Sequence, residues 1–204
     1  LIPINKKLID ENKNLKSIII NNLNSTQESS NDLFKITSAN VIKNSYIKSR
    51  NFIILDKGEN DGIKRDMSVI SLDGIIGIIN ETSKNYSNVI SILNIDMKIN
   101  VKLKKTNHFG TLSWDSKSAD IVQLNDIQDL VKLTIGDSVT TSGFSSIFPA
   151  NIPVGTISSY RLNDTKDLYV IDVKLFNDMT NLEHVYIIKN TDFNEIDNLN
   201  QYDE

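Results

Sequence analysis

Serine, histidine and aspartate are the residue types here that could perform covalent catalysis. Ser138 lies in Gly136-Asp137-Ser138, a tripeptide typical of the nucleophile in one class of serine proteases. A serine nucleophile needs a histidine base and a group that orients it, and His108 and His184 are the two histidines of the chain. The residue after Ser138 is valine, not the glycine of an oxyanion loop, so we favour a turn leading into a strand.

Metal-binding chemistry also has weak support in the sequence. The chain has no cysteine and two histidines. Asp56, Asn60 and Asp61, together with Gly58 and Gly62, faintly resemble a calcium loop, but they lack the 12-residue spacing and the closing glutamate of the EF-hand. We therefore predict no catalytic residue, no metal and no cofactor, and interpret this segment as a turn.

Charge and composition narrow the possible functions of the 204 residues. The chain has 22 Lys and Arg against 26 Asp and Glu, which disfavours a nucleic-acid binder. It contains no apolar run of about 18 residues, the length that a membrane-spanning helix needs. The segment 190–204 has five acids and no basic residue, and we expect it to be a solvated, disordered tail.

Residues 1–30 are predicted to form a helix followed by a polar linker. Pro3 suits the first turn of a helix. A heptad pattern places Leu1, Leu8, Leu15 and Asn22 at one seam position and Ile4, Glu11, Ile18 and Ser25 at the other, where Glu11 weakens the seam. Such a narrow seam favours helix pairing, and Asn22 could set the register. An amphipathic helix packed on the following domain is an equal alternative.

The body of the chain, about 35–189, is predicted to be β throughout. Short β-branched runs alternate with turn signals such as Asp56-Lys57-Gly58 and Asp73-Gly74. Turn-bounded strands this short and regular favour small barrels or sandwiches, and the strand count fits two six-stranded barrels better than one large domain. We predict two six-stranded barrels, at 35–103 and 104–189, and leave open that the last strands return to the first barrel.

Several motifs in this body resemble the MreC family of bacterial rod shape-determining proteins. The turn Leu55–Met67 resembles the family's Gly-x-x-Asp-Gly-hydrophobic-Lys-x-x-Met pattern, and Asp73–Gly77 its hairpin. The most specific match is Gly136–Gly143 followed by Phe148–Gly155. Asp66 and Ser68 depart from the glycine and proline of many members. The matching turn residues are Gly58, Asp61, Gly62, Met67, Gly74, Gly77, Gly136, Asp137, Thr141, Ser142, Gly143, Phe148, Pro149, Pro153 and Gly155.

The resemblance implies a fold and a function. MreC proteins have an N-terminal helix and two small β-barrels, distantly like trypsin-type proteases but without a triad. The resemblance implies a non-enzymatic scaffold of cell elongation on the periplasmic face of the inner membrane, with a single anchor preceding Leu1. It implies a homodimer or filament, formed partly through the N-terminal helix, and MreB, MreD, RodA and the elongation transpeptidase of the penicillin-binding class as partners.

Two alternatives come from other classes of protein. A periplasmic adaptor of an export pump also joins a helix to barrels, but it should have two antiparallel helical arms, and this chain has one predicted helix. A trypsin-like hydrolase would require Ser138 to meet a histidine and a carboxylate within hydrogen-bond reach.

Overall fold

The computed structural model describes residues 34–165 and 167–190. The predicted dimerisation helix, with Ile4, Leu8, Leu15, Ile18 and Asn22, and the acidic segment 191–204 lie outside these ranges. The described chain contains twelve strands: β1 (Phe34–Asn44), β2 (Arg50–Leu55), β3 (Ser68–Ile70), β4 (Ile75–Thr82), β5 (Ser87–Asn94), β6 (Ile99–Leu103), β7 (Phe109–Ser113), β8 (Ile121–Gln128), β9 (Ser138–Thr141), β10 (Pro153–Leu162), β11 (Leu168–Leu175) and β12 (His184–Asn190).

The strands form two closed antiparallel barrels of six strands each. The first has the order β1-β12-β3-β4-β5-β2 and the second β10-β11-β8-β7-β6-β9. The prediction of two six-stranded barrels is therefore confirmed. Because each barrel is closed, every strand pairs with a neighbour on both sides. Neither barrel therefore has an unpaired edge strand that another chain could pair with.

The boundary between the barrels differs from the predicted one at residue 103. Strand β6, predicted to belong to the first barrel, pairs with β7 and β9 of the second. Strand β12, predicted to belong to the second, pairs with β1 and β3 and closes the first. The last strand thus returns to the first barrel, the arrangement left open above. Alternation shows that a strand has a buried face but not which core that face meets.

Each barrel has a core of β-branched and leucine side chains. Fully buried residues include Ile53, Leu55, Val69 and Ile79 in the first barrel, and Val101, Val122, Leu124, Val139 and Val173 in the second. Burying one such side chain contributes about 1.5–3 kcal/mol. Trp114 is also buried, and its indole N–H donates to the carbonyl of Ser118 at 2.6 Å, as expected for a packing residue.

Asn177, in the connection from β11 to β12, joins the two barrels. Its side-chain amide donates to the carbonyl of Ile75 at 2.9 Å, and its Oδ1 accepts a hydrogen bond from the Ser71 hydroxyl. Gly74 lies against the same region, since a Cβ at this position would approach the Pro153 carbonyl oxygen to 2.3 Å. The family hairpin therefore needs glycine at position 74 so that the first barrel can meet the start of β10.

Candidate functional site

The Gly136-Asp137-Ser138 segment forms a turn into β9. The amide of Gly136 donates to the Ile157 carbonyl, and the Ile157 amide donates to the Asp137 carbonyl. The Asp137 carboxylate lies 3.6 Å from the ammonium of Lys105. Ser138 is paired with Thr156 of β10, which anchors the turn to the neighbouring strand.

The two histidines lie apart from each other. His184 is opposite Asn40 in the first barrel, whereas Ser138 belongs to the second. His108 is exposed in the turn between β6 and β7. His184 and Ser138 thus lie on strands of different barrels. His108 precedes β7, and β6 lies between β7 and the strand of Ser138.

The calcium-like segment uses its carboxylates to hold the chain. Asp56 accepts from the amide and the side chain of Asn40 at 2.7 and 2.6 Å. Asp61 accepts from the ammonium of Lys57 at 3.0 Å and from the amide of Gly58 at 3.1 Å. The pKa of Asp61 lies below its ordinary value. The hydrogen bond from Lys57 is the largest cause, and the hydrogen bond from the Gly58 amide is the second. Among the described residues, no cluster of three or more potential ligands could hold a metal.

The most specific motif shapes a loop over residues 142–152, which we call the clamped loop. Thr141 is fully buried, and its hydroxyl donates to the carbonyl of Pro149 at 2.6 Å while accepting from the amide of Ile152 at 2.9 Å. Ser142 donates to the carbonyl of Asn100 at 3.1 Å. These bonds tie both ends of the loop together and to β6, and Phe148 packs inside it at 4% exposure.

The clamped loop displays an exposed aromatic residue, Phe144. Its ring lies 4.2 Å, centroid to centroid, from that of Phe109 at the start of β7. Phe144 is 69% exposed and Phe109 is 43% exposed. The two rings are tilted by 31° to each other and held by a hydrogen-bonded loop. They form a preorganised apolar surface, the kind of feature that marks a contact site.

A second aromatic pair lies on the β10–β11 hairpin. Tyr160 and Tyr169 pack edge to face with centroids 5.5 Å apart. Leu162 is the strand partner of Tyr169, and both Tyr160 and Leu162 are about 40% exposed, at 41% and 40%. We call Tyr160, Leu162 and Tyr169 the hairpin patch. Neither this patch nor Phe144 is predicted by the sequence pattern, because an aromatic residue in a β protein is usually part of the core.

The other family-motif residues serve local structure. Met67 is buried, and its sulfur accepts from the amide of Lys64. Asp66, where the resemblance implies glycine in many members, has a φ of 65°, in the left-handed region that favours glycine. The remaining motif glycines lie in turns or where strands approach closely: Gly58, Gly62, Gly77, Gly136, Gly143 and Gly155.

The structure is a β protein of two closed barrels. The aromatic pairs exposed on its surface are of the kind found in protein–protein contacts. The family model described as "Rod shape-determining protein MreC, barrel core" matches residues 41–189. The chain belongs to the MreC family. The residues that the structure describes contain no helix with the length and hydropathy of a membrane span.

Curated relatives carry the same family name. The chain is 30% identical over 155 residues to the cell shape-determining protein MreC of Listeria monocytogenes, covering 74% of this chain and 52% of the relative. It is 27% identical over 163 residues to that of Streptococcus pneumoniae, covering 77% and 59%. The chain thus spans about half the length of these relatives.

Solved structures share the fold. A structure of MreC from Listeria monocytogenes is 26% identical, has a TM-score of 0.74, and covers 93% of this chain and 92% of its own. The major periplasmic domain of a cell shape-determining filament MreC is 26% identical, with a TM-score of 0.65, and covers 78% and 99%. A third structure is a complex between penicillin-binding protein PBP2 and MreC from Helicobacter pylori. It is 19% identical, has a TM-score of 0.57, and covers 77% of this chain and 99% of its own. At this identity, the likeness shows the fold alone.

Proposed function

We propose that this chain is the periplasmic region of a membrane-anchored, non-enzymatic scaffold that self-associates and holds cell-wall synthases during elongation. The observation that supports it most is the match of the MreC barrel core to residues 41–189. The Helicobacter pylori relative forms a complex with a penicillin-binding protein, and we extend that partner class to this chain. RodA and MreD would be met at the membrane, and MreB through the cytoplasmic side of the anchor.

Closed barrels restrict how such a scaffold can bind. A sheet with no open edge cannot recruit a partner by adding a strand, so contacts must use side chains on loops and outer faces. The hairpin patch supplies two tyrosines and a leucine there. Tyrosine buries a large apolar area at low entropic cost and keeps a hydroxyl for hydrogen bonding. We propose the hairpin patch as the contact surface for the transpeptidase.

The experiment is direct binding between the purified 204-residue chain and the periplasmic domain of the elongation transpeptidase from the same organism. We expect measurable binding by interferometry, at a Kd of about 1 μM or weaker, since transient interfaces are small. A variant with Tyr160→Asp and Leu162→Asp should weaken binding about tenfold or more, the loss expected when contacts at the centre of an interface are removed.

The matched control is Ile47→Asp, because Ile47 is 84% exposed on the first barrel. This variant should bind as the unaltered chain does. If Ile47→Asp loses binding and the Tyr160 and Leu162 variant does not, the contact surface lies on the first barrel and the hairpin patch is not the binding site. No binding by the unaltered chain would overturn the proposed partner class itself.

A further inference from the structure

We propose that the Phe109–Phe144 pair and the lysines beside it bind the surface of an anionic lipid bilayer. The two rings are exposed and lie 4.2 Å apart, where the clamped loop meets the start of β7. We call Phe109, Phe144, Lys98, Lys102 and Lys104 the cationic face. This inference takes from the proposed function only that the chain works beside a membrane, and it is independent of the synthase contact at the hairpin patch.

Basic residues are concentrated in the part of the second barrel that carries this face. Residues 97–114 contain four lysines and no acid, although the whole chain has more acidic than basic residues. Alternate residues of β6 are buried, which turns Lys98 and Lys102 towards solvent. Lys102 is the strand partner of Phe109, and Lys104 is exposed just beyond the end of β6. The lysines and the rings therefore lie on one outer surface of the barrel.

Two acids lie close to the cationic face. Asp137 is already paired with Lys105, at 3.6 Å, and Asp126 is exposed on the adjoining strand β8. Among the described residues, no ion pair engages the three lysines of the cationic face. These lysines are therefore available to anionic headgroups, and each one near an anionic bilayer adds to the attraction.

The apolar part of the face favours a bilayer over a simple polyanion. Residues 142–152 contain no charged side chain, so bringing the clamped loop to a lipid surface removes no charge from water. The hydroxyls of Thr141 and Ser142 hold this loop, and little ordering opposes binding. A polyanion would leave the rings of Phe109 and Phe144 in water, whereas a bilayer offers anionic headgroups next to apolar chains.

Sedimentation of the 204-residue chain with lipid vesicles tests the proposal. The probe is vesicles of phosphatidylglycerol and phosphatidylcholine in equal amounts, compared with vesicles of phosphatidylcholine alone. We expect half of the protein to be bound at about 0.1–1 mM accessible anionic lipid, the range of a single reversible lipid anchor. Binding to the neutral vesicles should be about tenfold weaker or less, and added salt should release the protein because it screens exposed charges.

Two variants separate the apolar from the electrostatic contribution. Phe144→Ser should weaken binding to the anionic vesicles about tenfold, the ratio that about 1.4 kcal/mol gives. Lys102→Gln with Lys104→Gln should weaken it about fivefold for each lysine, the ratio that about 1 kcal/mol gives. Both variants change exposed or half-buried side chains, and urea unfolding checks that they fold as the unaltered chain does.

Matched controls lie elsewhere on the barrels. Leu130→Ser removes an apolar side chain that is 88% exposed in the connection after β8. Lys43→Gln with Lys117→Gln removes the same charge as the double lysine variant, from exposed positions on β1 and in the turn after β7. Both controls should bind the anionic vesicles as the unaltered chain does.

Tryptophan fluorescence shows whether the ring at position 144 enters lipid. The native Trp114 is buried and gives a constant background. The emission of Phe144→Trp should shift to shorter wavelength when anionic vesicles are added, because the indole leaves water. Leu130→Trp, at the control position, should show no shift.

The outcomes decide between occupants. No binding of the unaltered chain to anionic vesicles would overturn the proposal, as would equal binding by the double lysine variant or a Phe144→Trp emission that does not shift. Binding to polyglutamate that matches vesicle binding and survives Phe144→Ser would identify a site for an acidic protein, and would overturn it as well. Lipid binding that the Phe144 and lysine variants lose and the controls keep supports it. The assay contains no synthase, so its failure would leave the proposed synthase contact untouched.

Discussion

The hydroxyl of Thr141 donates to the carbonyl oxygen of Pro149 across the base of the clamped loop, at 2.6 Å. The hydroxyl oxygen of Thr141 also accepts a hydrogen bond from the amide of Ile152. One buried side chain therefore satisfies a carbonyl and an amide of the eleven-residue loop 142–152. A buried carbonyl or amide left without a partner is costly. Threonine at this position of the family motif is therefore a structural device that fixes where Phe144 is displayed.

Thr141→Val should destabilise the protein by about 1–3 kcal/mol, because the valine leaves the Pro149 carbonyl and the Ile152 amide without their hydroxyl partner. The two side chains are nearly equal in volume, so packing changes little. Urea unfolding followed by circular dichroism measures the difference. Thr141→Ser keeps the hydroxyl and should lose less, and equal losses in the two variants would contradict this role.

Asn177→Ala should also destabilise the protein by about 1–3 kcal/mol. The alanine cannot hydrogen-bond to the Ile75 carbonyl or the Ser71 hydroxyl, and the site is only 5% exposed. The matched control is Asn181→Ala, an exposed asparagine in the same connection, which should be nearly neutral. Thermal unfolding of both variants compares them. If the Tm of the Asn177 variant equals that of the control, the contact between the barrels does not depend on this amide.

Asp66→Gly should stabilise the protein by about 0.5–1 kcal/mol. Asp66 holds a φ of 65°, which costs energy for any residue with a Cβ and nothing for glycine. Its ion pair with Arg65, at 3.7 Å on the surface, contributes little. Asp66→Ala keeps the Cβ without the local hydrogen bonding of aspartate, and should lower the Tm. A Tm that falls in both variants would show that the side chain matters more than the backbone.

Acid should weaken the turn at Asp61 in a defined pH range. The Lys57 and Gly58 hydrogen bonds lower the pKa of Asp61 in the folded state, so the unfolded chain binds this proton at a higher pH than the folded chain does. The stabilisation is therefore present above the unfolded pKa of about 3.9 and is lost as the pH falls through the folded value.

Asp61→Asn should then flatten the loss of stability below about pH 4, as measured by urea unfolding at a series of pH values. Asp164→Asn, at an exposed position in the β10–β11 turn, serves as the comparison. A curve for the Asp61 variant that runs parallel to that of the unaltered chain would rule out this contribution.

If the predicted helix pairs in the proposed membrane-anchored protein, Leu15→Asp should lower its dimer content while leaving the melting of the β barrels nearly unchanged. The heptad seam predicts this result, because a charge at a seam position disrupts helix pairing. Analytical ultracentrifugation in detergent and circular dichroism give the two readouts. A large fall in Tm would instead favour a helix packed on the following domain. A cysteine at Leu15 or Ser25 should give disulfide-linked dimers in membranes.

Local pattern predicted the strands well where one face is buried. In β6, Ile99, Val101 and Leu103 are buried and Asn100 and Lys102 are not, as their alternation indicates. In the same way, β-branched runs bounded by Asp-Gly turns predicted small barrels or sandwiches, and the structure shows closed barrels. Family resemblance placed Thr141 and Pro149 in one motif, but it did not reveal that the motif holds a loop or that the loop exposes Phe144.

By itself, the sequence determined the β class of the body, the number of barrels and the turn positions, since these depend on residues close together in the chain. Only the tertiary structure decided that β12 closes the first barrel and that Asn177 joins the two. Pairing between distant strands depends on which cores compete for each apolar face, and a period of two is the same for either core. For the same reason Phe144 and Tyr160 could not be distinguished from core aromatics until the barrels were closed around other side chains.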